Sequence, residues 1–346
     1  MNEISTIGLD TAKSVFQLHG IDAMGDCKLV RRLKRREVLG FFKKQPACTV
    51  ALEACSASHY WGREIASLGH AVKLVPPPFV KRFAEGRRKT DARDAKALAL
   101  AGRSSDLRAV PLKSAERQAE LLVVKARSLL VRQHTQAGNA LRGHFAEFGL
   151  TTRTGDKGLE GLIGKVESGE AGVPEAALAA FAVLIGQWRV LASGIAKLTA
   201  KLIAQAKGNE TVKRLMGVPG VGPVIASVFA LKVDDPGRFD CGRNCAAWLG
   251  LTPNEHSSGG KRRLGAISKA GDEDLRSLLV MGAATLLIRA KRAPESASSW
   301  VRGILKRRPF KVAAVALAAR IARTLWALLK HGGTYDPRRA IAASTD

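Results

Sequence analysis

Two carboxylates, Asp91 and Asp94, stand three residues apart at the head of a helical stretch, directly behind the cations Arg87, Arg88 and Lys89. Residues i and i+3 project from one face of a helix, so the pair is able to grip a single hard cation, with Thr90 or Asp91 itself as N-cap. The same pair also serves to complement the positive end of the helix dipole while pairing with Arg87, Arg88 or Arg93. Carboxylates earlier in the chain decide which reading has more to explain.

Residues 3–8 alternate into Leu9-Asp10-Thr11-Ala12-Lys13, and residues 14–19 form a second β-rich run. This resembles the opening hairpin of an RNase H-like fold, whose first strand carries a metal-binding Asp; that residue is Asp10 here. A turn Asp bonded to its own backbone is the plainer alternative. Next, Thr49-Val50-Ala51-Leu52-Glu53 is a buried-type strand closed by a carboxylate. Burying that charge alone costs several kcal/mol, so Glu53 needs water or a partner such as a metal ion. Residues 58–66 predict a helix and residues 70–75 another strand ahead of Pro76-Pro77-Pro78. The expected unit is α/β, with Asp10, Glu53, Asp91 and Asp94 each at a strand end or a helix start. Four carboxylates around two divalent cations suit phosphodiester chemistry, because the ions stabilise both attacking and leaving oxygens.

Charge narrows the partner. With 56 Lys plus Arg against 30 Asp plus Glu, the formal net charge is +26, and a polyanion that relieves this self-repulsion is the simplest explanation. The run Arg31-Arg32-Leu33-Lys34-Arg35-Arg36, ahead of a helical stretch over 37–44, is either a solvated cationic face or a phosphate contact. No apolar run of spanning length is expected, since Val312 to Leu329 is broken by Arg320 and Arg323 as in an amphipathic helix. The N-terminus lacks a signal-peptide pattern, and five cysteines without regular spacing suggest reduced thiols in a cytoplasmic protein. Cys241 and Cys245 have no matching second pair and read as small buried thiols, not a zinc site.

The order GLDTAK, ALEAC, KTDARDAKALA resembles the DEDD transposases of a bacterial insertion-sequence family, the bridge-RNA-guided recombinases. The resemblance implies a RuvC-like, RNase H-like domain over 1–108 whose Asp, Glu, Asp, Asp carboxylates are Asp10, Glu53, Asp91 and Asp94. It implies Mg2+ or Mn2+ as cofactor, with Arg87, Arg88 and Lys89 as nucleic-acid contacts.

Beyond residue 108 the texture becomes helical. Residues 111–148 and 174–206 carry apolar residues at helical spacing, with a Gly- and Thr-rich link at 149–173 expected to contain a loop. The two stretches predict either an antiparallel coiled-coil arm over 109–208 or a plain helical bundle; the family resemblance implies the coiled coil, used in assembly and RNA contact. Val218-Pro219-Gly220-Val221-Gly222-Pro223 resembles the turn of a helix-hairpin-helix element, in which Gly220 and Gly222 let backbone N–H groups approach a phosphate. A bland Gly-Pro turn ahead of a buried helix is the alternative.

The stretch Ser257-Ser258-Gly259-Gly260-Lys261-Arg262-Arg263-Leu264-Gly265-Ala266-Ile267-Ser268-Lys269-Ala270-Gly271 resembles the family's second signature. The matching nucleophile is Ser258, with Ser257 beside it as the alternative, and Lys261, Arg262, Arg263 and Lys269 are suited to neutralise an attacked phosphate. Asp272 departs from the Asn usual in the family, an extra negative charge beside a DNA-binding segment. The resemblance thus implies a mainly α C-terminal transposase domain over 209–335, followed by a tail over 336–346.

Taken together, the resemblance implies a transposase that forms a 5′-phosphoserine link and acts as a homo-oligomer, dimer or tetramer, on donor and target DNA with a structured guide RNA. The halves bearing the carboxylates and the serine are expected to meet between protomers. A Holliday-junction-type nuclease using water, and a non-catalytic nucleic-acid scaffold, are the competing readings.

Overall fold

The computed structural model describes residues 3–84, 90–257, 261 and 263–336. The chain divides into two compact units, residues 1–119 and 120–346.

In the first unit a five-stranded mixed sheet is built from β1 (Thr6–Asp10), β2 (Val15–Ile21), β3 (Cys27–Lys34), β4 (Thr49–Glu53) and β5 (Ala71–Val75), in the order β3-β2-β1-β4-β5. The first three strands form an antiparallel meander, while β4 and β5 run parallel to β1. Helices α1 (Val38–Lys44), α2 (Ser58–Ser67), α3 (Pro77–Val80) and α4 (Asp91–Arg103) complete the unit. This mixed α/β arrangement is consistent with the RNase H-like expectation.

Strand alternation sends successive residues to opposite faces. Ile7, Leu9, Val50 and Leu52 therefore share one core with Val38, Phe42, Trp61 and Ile65 of α1 and α2. Phe16 meets Trp61 edge-on with ring centroids 4.9 Å apart, an arrangement worth about 0.5–1.5 kcal/mol beyond area burial. The other face is lined by the small residues Gly8 and Ala51, and α4 lies on it through Ala97, Leu98 and Ala101.

Within the basic run at 31–36, Arg31, Arg32 and Lys34 belong to β3, the edge strand. Charged side chains on an exposed edge oppose pairing with another chain, which gives the run a structural role whatever else it contacts.

The second unit is mostly helical. It contains α5 (Ala115–Ala146), in whose first turns the division falls, then α6 (Asp156–Glu167), α7 (Glu175–Lys207), α8 (Glu210–Met216), α9 (Pro223–Lys232) and α10 (Gly242–Trp248). A short hairpin of β6 (Pro253–Glu255) and β7 (Leu264–Ile267) precedes α11 (Glu273–Arg292), α12 (Ser299–Arg307) and α13 (Phe310–His331). Helices α5 and α7 run antiparallel: Arg127 Nε donates to Thr199 Oγ1 at 2.7 Å, the His134 and Trp188 rings stack at 4.8 Å, and Phe145 meets Phe181 at 4.7 Å. The link expected to contain a loop does so on either side of a helix that was not expected, α6, whose Leu159, Leu162, Ile163 and Val166 pack against Leu141 and Phe181. A second, larger core gathers Phe229, Leu249, Leu279, Leu287, Leu317 and Leu325 from α9 to α13. Contrary to the expectation of no spanning-length apolar run, α7 and α13 are long and apolar enough to cross a membrane by length and composition; half of the apolar window in α13 is buried inside the unit.

Candidate active site

Strands β1 and β4 are parallel and in register through Leu9 opposite Leu52. The next residue on each is a carboxylate, so Asp10 and Glu53 close neighbouring strands on the same edge of the sheet, at the strand spacing of about 5 Å. The loops that follow also meet, with Thr11 Oγ1 3.7 Å from Cys55 Sγ.

Close backbone contact sets the position of α4. A Cβ on Gly8 would fall 2.0 Å from the Ala95 carbonyl oxygen and 2.4 Å from the Ala99 nitrogen. One on Gly102 would fall 2.5 Å from Ala51 Cβ and 3.5 Å from Thr6 Cγ2. The helix thus runs opposite to β1: its C-terminal part lies over Thr6, and Ala95 lies over Gly8. Continuing four residues toward the helix N-terminus and two residues along the strand covers about 6 Å in each case. Asp91 and Asp94 therefore arrive at the same end of the sheet as Asp10 and Glu53. Thr90 caps the helix as expected, its side chain accepting from the Arg93 N–H at 3.4 Å. Asp10, Glu53 and Asp94 are partly exposed and Asp91 is exposed.

Four carboxylates at one end of a sheet are a donor set of the right chemistry for a hard divalent cation, which takes oxygen ligands. Among the described residues no three Asp, Glu, His or Cys side chains converge closely enough to hold an ion, so the fit is one of residue type and placement. Arg87, Arg88 and Lys89 lie outside the described residues.

In the second unit, the β6–β7 hairpin presents the serine segment. Ser257 Oγ donates to Glu255 Oε1 at 2.8 Å and accepts from the Arg263 N–H at 3.1 Å, while the His256 N–H donates to the Arg263 carbonyl at 2.8 Å. Ser258 and Arg262 lie outside the described residues; Lys261 and Arg263 are exposed. Glu255 is a residue that sequence reasoning passed over. Its signal is a carboxylate two positions before a serine on a strand, where alternate side chains share a face.

The segment after the hairpin is held against the end of α10. Lys269 sits at φ +54°, a left-handed conformation uncommon in residues other than glycine. Its N–H donates to the Gly250 carbonyl at 3.2 Å. Arg276 Nη1 reaches the carbonyls of Leu249 at 3.1 Å and Ala270 at 2.9 Å. A Cβ on Gly271, itself at φ +73°, would lie 1.9 Å from the Trp248 carbonyl oxygen.

Asp272 has a local explanation. It caps α11 by accepting from the Leu275 N–H at 2.8 Å, and both its carboxylate oxygens lie 2.6 Å from Lys232 Nζ. Its negative charge is therefore paired. Asp272→Ala removes the cap and strands an ammonium whose side chain is only 9% exposed, an expected loss of about 2 kcal/mol. Asp272→Asn keeps the cap and costs about half as much. Urea unfolding of the two variants checks the order; equal losses would remove the cap from the account, and an Asn variant as stable as the parent would remove the ion pair.

The two hairpin glycines differ. Gly220, at φ +81°, packs against α11, since a Cβ there would lie 2.7 Å from Leu286 Cδ1 and 3.0 Å from the Gly282 carbonyl oxygen. Gly222, at the start of α9, faces open space. Cys245 is buried, which pushes its thiol up to about 12, while Cys241 is exposed; a thiol so hard to ionise is a poor metal ligand.

Comparison with known proteins finds two family models along the chain. A family model described as Transposase, of the DEDD IS110 type, matches residues 7–149, and one described as Transposase IS116/IS110/IS902 family matches residues 212–299. The chain is 44% identical to a putative transposase, y4pF/y4sB, of Sinorhizobium fredii, over 97% of this chain and 86% of the relative. It is 44% identical to a probable family 20 transposase of Pseudomonas aeruginosa, over 96% and 99%. It is 34% identical to the transposase for insertion sequence element IS1111A of Coxiella burnetii, over 97% and 92%.

Proposed function

Because the chain belongs to the IS116/IS110/IS902 family of transposases, we propose that it moves an insertion sequence by cutting and rejoining DNA through a serine-linked intermediate. What supports this reading is the register that ends neighbouring strands on Asp10 and Glu53 and the reversed course of α4, which starts at Asp91 and Asp94.

In the proposed reaction the Ser258 hydroxyl oxygen attacks a DNA phosphorus, its proton passes to a nearby base, and the 3′ oxygen leaves. The 5′ end is then held as a phosphoserine. A 3′ hydroxyl from another strand reverses the step, joining DNA and freeing the serine. Asp10, Glu53, Asp91 and Asp94 are the residues that would hold Mg2+ or Mn2+, which when bound supplies charge neutralisation at the phosphate. Lys261, Arg262, Arg263 and Lys269 supply fixed positive charge to the non-bridging oxygens. Donor and target DNA are the substrates, a structured guide RNA the partner that selects them, and a homo-oligomer the working form. The net charge of +26 supports a chain that handles more than one polyanion.

A specific observation favours Ser257 as a second candidate nucleophile: its hydroxyl already donates to Glu255, the arrangement of a serine beside a base. Trapping decides between them. The protein is incubated with DNA carrying the element's ends, denatured, and examined for a protein–DNA band. Ser258→Ala is expected to abolish the adduct and Ser257→Ala to retain it, and the opposite pattern transfers the role to Ser257. Cleavage without any adduct in the parent protein means that water is the nucleophile.

A further inference from the structure

Between α11, α12 and α13 lies a cavity of about 380 Å3, a size typical of pockets that hold a small ligand. Leu286, Leu317 and Ile321 give it an apolar floor, and Arg289, Arg320 and Trp300 bring charge and an aromatic plane to its wall. The Arg320 guanidinium lies 4.8 Å from the Trp300 ring centre, so a cation and a flat ring already share one stack. One turn further along α13, Arg323 has its pKa held below the ordinary arginine value by burial and by the charges of Arg243 and Arg320. Among the described residues no Asp or Glu lines the cavity. The lining thus brings two guanidiniums together beside an apolar floor and a π surface.

That combination matches a nucleotide, whose phosphate suits a guanidinium and whose base stacks on aromatic rings and on arginine planes. A duplex keeps its base faces stacked inside and is too wide for such a cavity; only an unpaired nucleotide presents both parts. We propose that this cavity binds one unpaired nucleotide of a DNA or RNA strand, its base extending the Arg320–Trp300 stack and its phosphate held by Arg289. The site shares no residue with the four carboxylates or the serine hairpin, and requires only that the chain handle nucleic acid.

The test uses the full chain with a short single-stranded DNA and the matching single-stranded RNA, each carrying one 2-aminopurine whose fluorescence falls on stacking, and duplex DNA as a charge control. Binding of a single strand is expected to quench the probe. Trp300→Ala and Arg289→Gln are each expected to weaken single-strand binding about tenfold while leaving duplex binding unchanged, and Trp300→Phe to retain quenching. Quenching by DNA alone or by RNA alone identifies the source of the nucleotide. Trp300 also anchors α12 to the core, so the exposed Arg289 provides the readout that is independent of folding. The proposal is overturned if both variants bind single strands like the parent, or if single-strand and duplex binding fall together. Either result leaves the adduct experiment untouched, and loss of the adduct chemistry leaves the cavity's binding to be judged separately.

Discussion

Asp10→Asn is expected to reduce DNA cleavage by about a thousandfold or more while DNA binding and the unfolding midpoint stay near parental values. The substitution preserves shape and removes one negative charge from the end of β1, beside Glu53 on β4. If these carboxylates hold the cations that act on phosphate, losing one oxygen ligand's charge costs cation affinity and transition-state stabilisation together. Glu53→Gln is expected to behave alike, because the register makes the two residues neighbours. The measurement is strand cleavage at fixed Mg2+ with a gel-shift control. A variant that cuts like the parent would remove Asp10 from the cation site, whereas a parent that binds DNA and never cuts it would favour the scaffold reading, in which the chain binds polyanions without chemistry.

Gly8→Ala is the second large effect, and it acts through packing. No side-chain adjustment can relieve a methyl group built 2.0 Å from the Ala95 carbonyl oxygen and 2.4 Å from the Ala99 nitrogen, since both are helix backbone. Helix α4 has to lift from the sheet, with an expected loss of about 3 kcal/mol. Asp91 and Asp94 move with it, so cleavage falls as well. Gly161→Ala in α6, where nothing lies within 4 Å, is the control and is expected to gain about 0.5–1 kcal/mol from helix propensity. Urea midpoints at constant slope check both; an unperturbed Gly8→Ala would mean that α4 is not seated as described.

Where sequence and structure agree, the reason is physical. Strands β1, β4 and β5 are short apolar runs bounded by turn residues, and Thr90 ahead of two acidic residues is a helix start in any context. The edge strand β3 escaped because Arg31, Arg32 and Lys34 mask its alternation, and solvent on one side allows charge where a central strand would not. Helix α6 escaped because Gly155, Gly158, Gly161 and Gly164 read as loop, although Leu159, Leu162, Ile163 and Val166 keep helical spacing. Asp10, Glu53, Asp91 and Asp94 were nameable one by one, but only the parallel pairing of β1 with β4 and the reversed course of α4 bring them to one end. Gly8 and Ala51 looked like unremarkable small residues, yet they permit that course. Glu255 went unnoticed because a lone exposed carboxylate carries no pattern until a hydroxyl is found beside it.

The antiparallel partners α5 and α7 span 32 and 33 residues, each about 50 Å at the rise of a helix. The core around Phe145 and Phe181 sits toward one end of the pair, and the core receiving Val124, Leu202 and Ala206 toward the other. Such a pair is a stiff beam. A load applied at the Phe181 end reaches the core that carries the glycine hairpin as torque, with little of it lost to bending on the way.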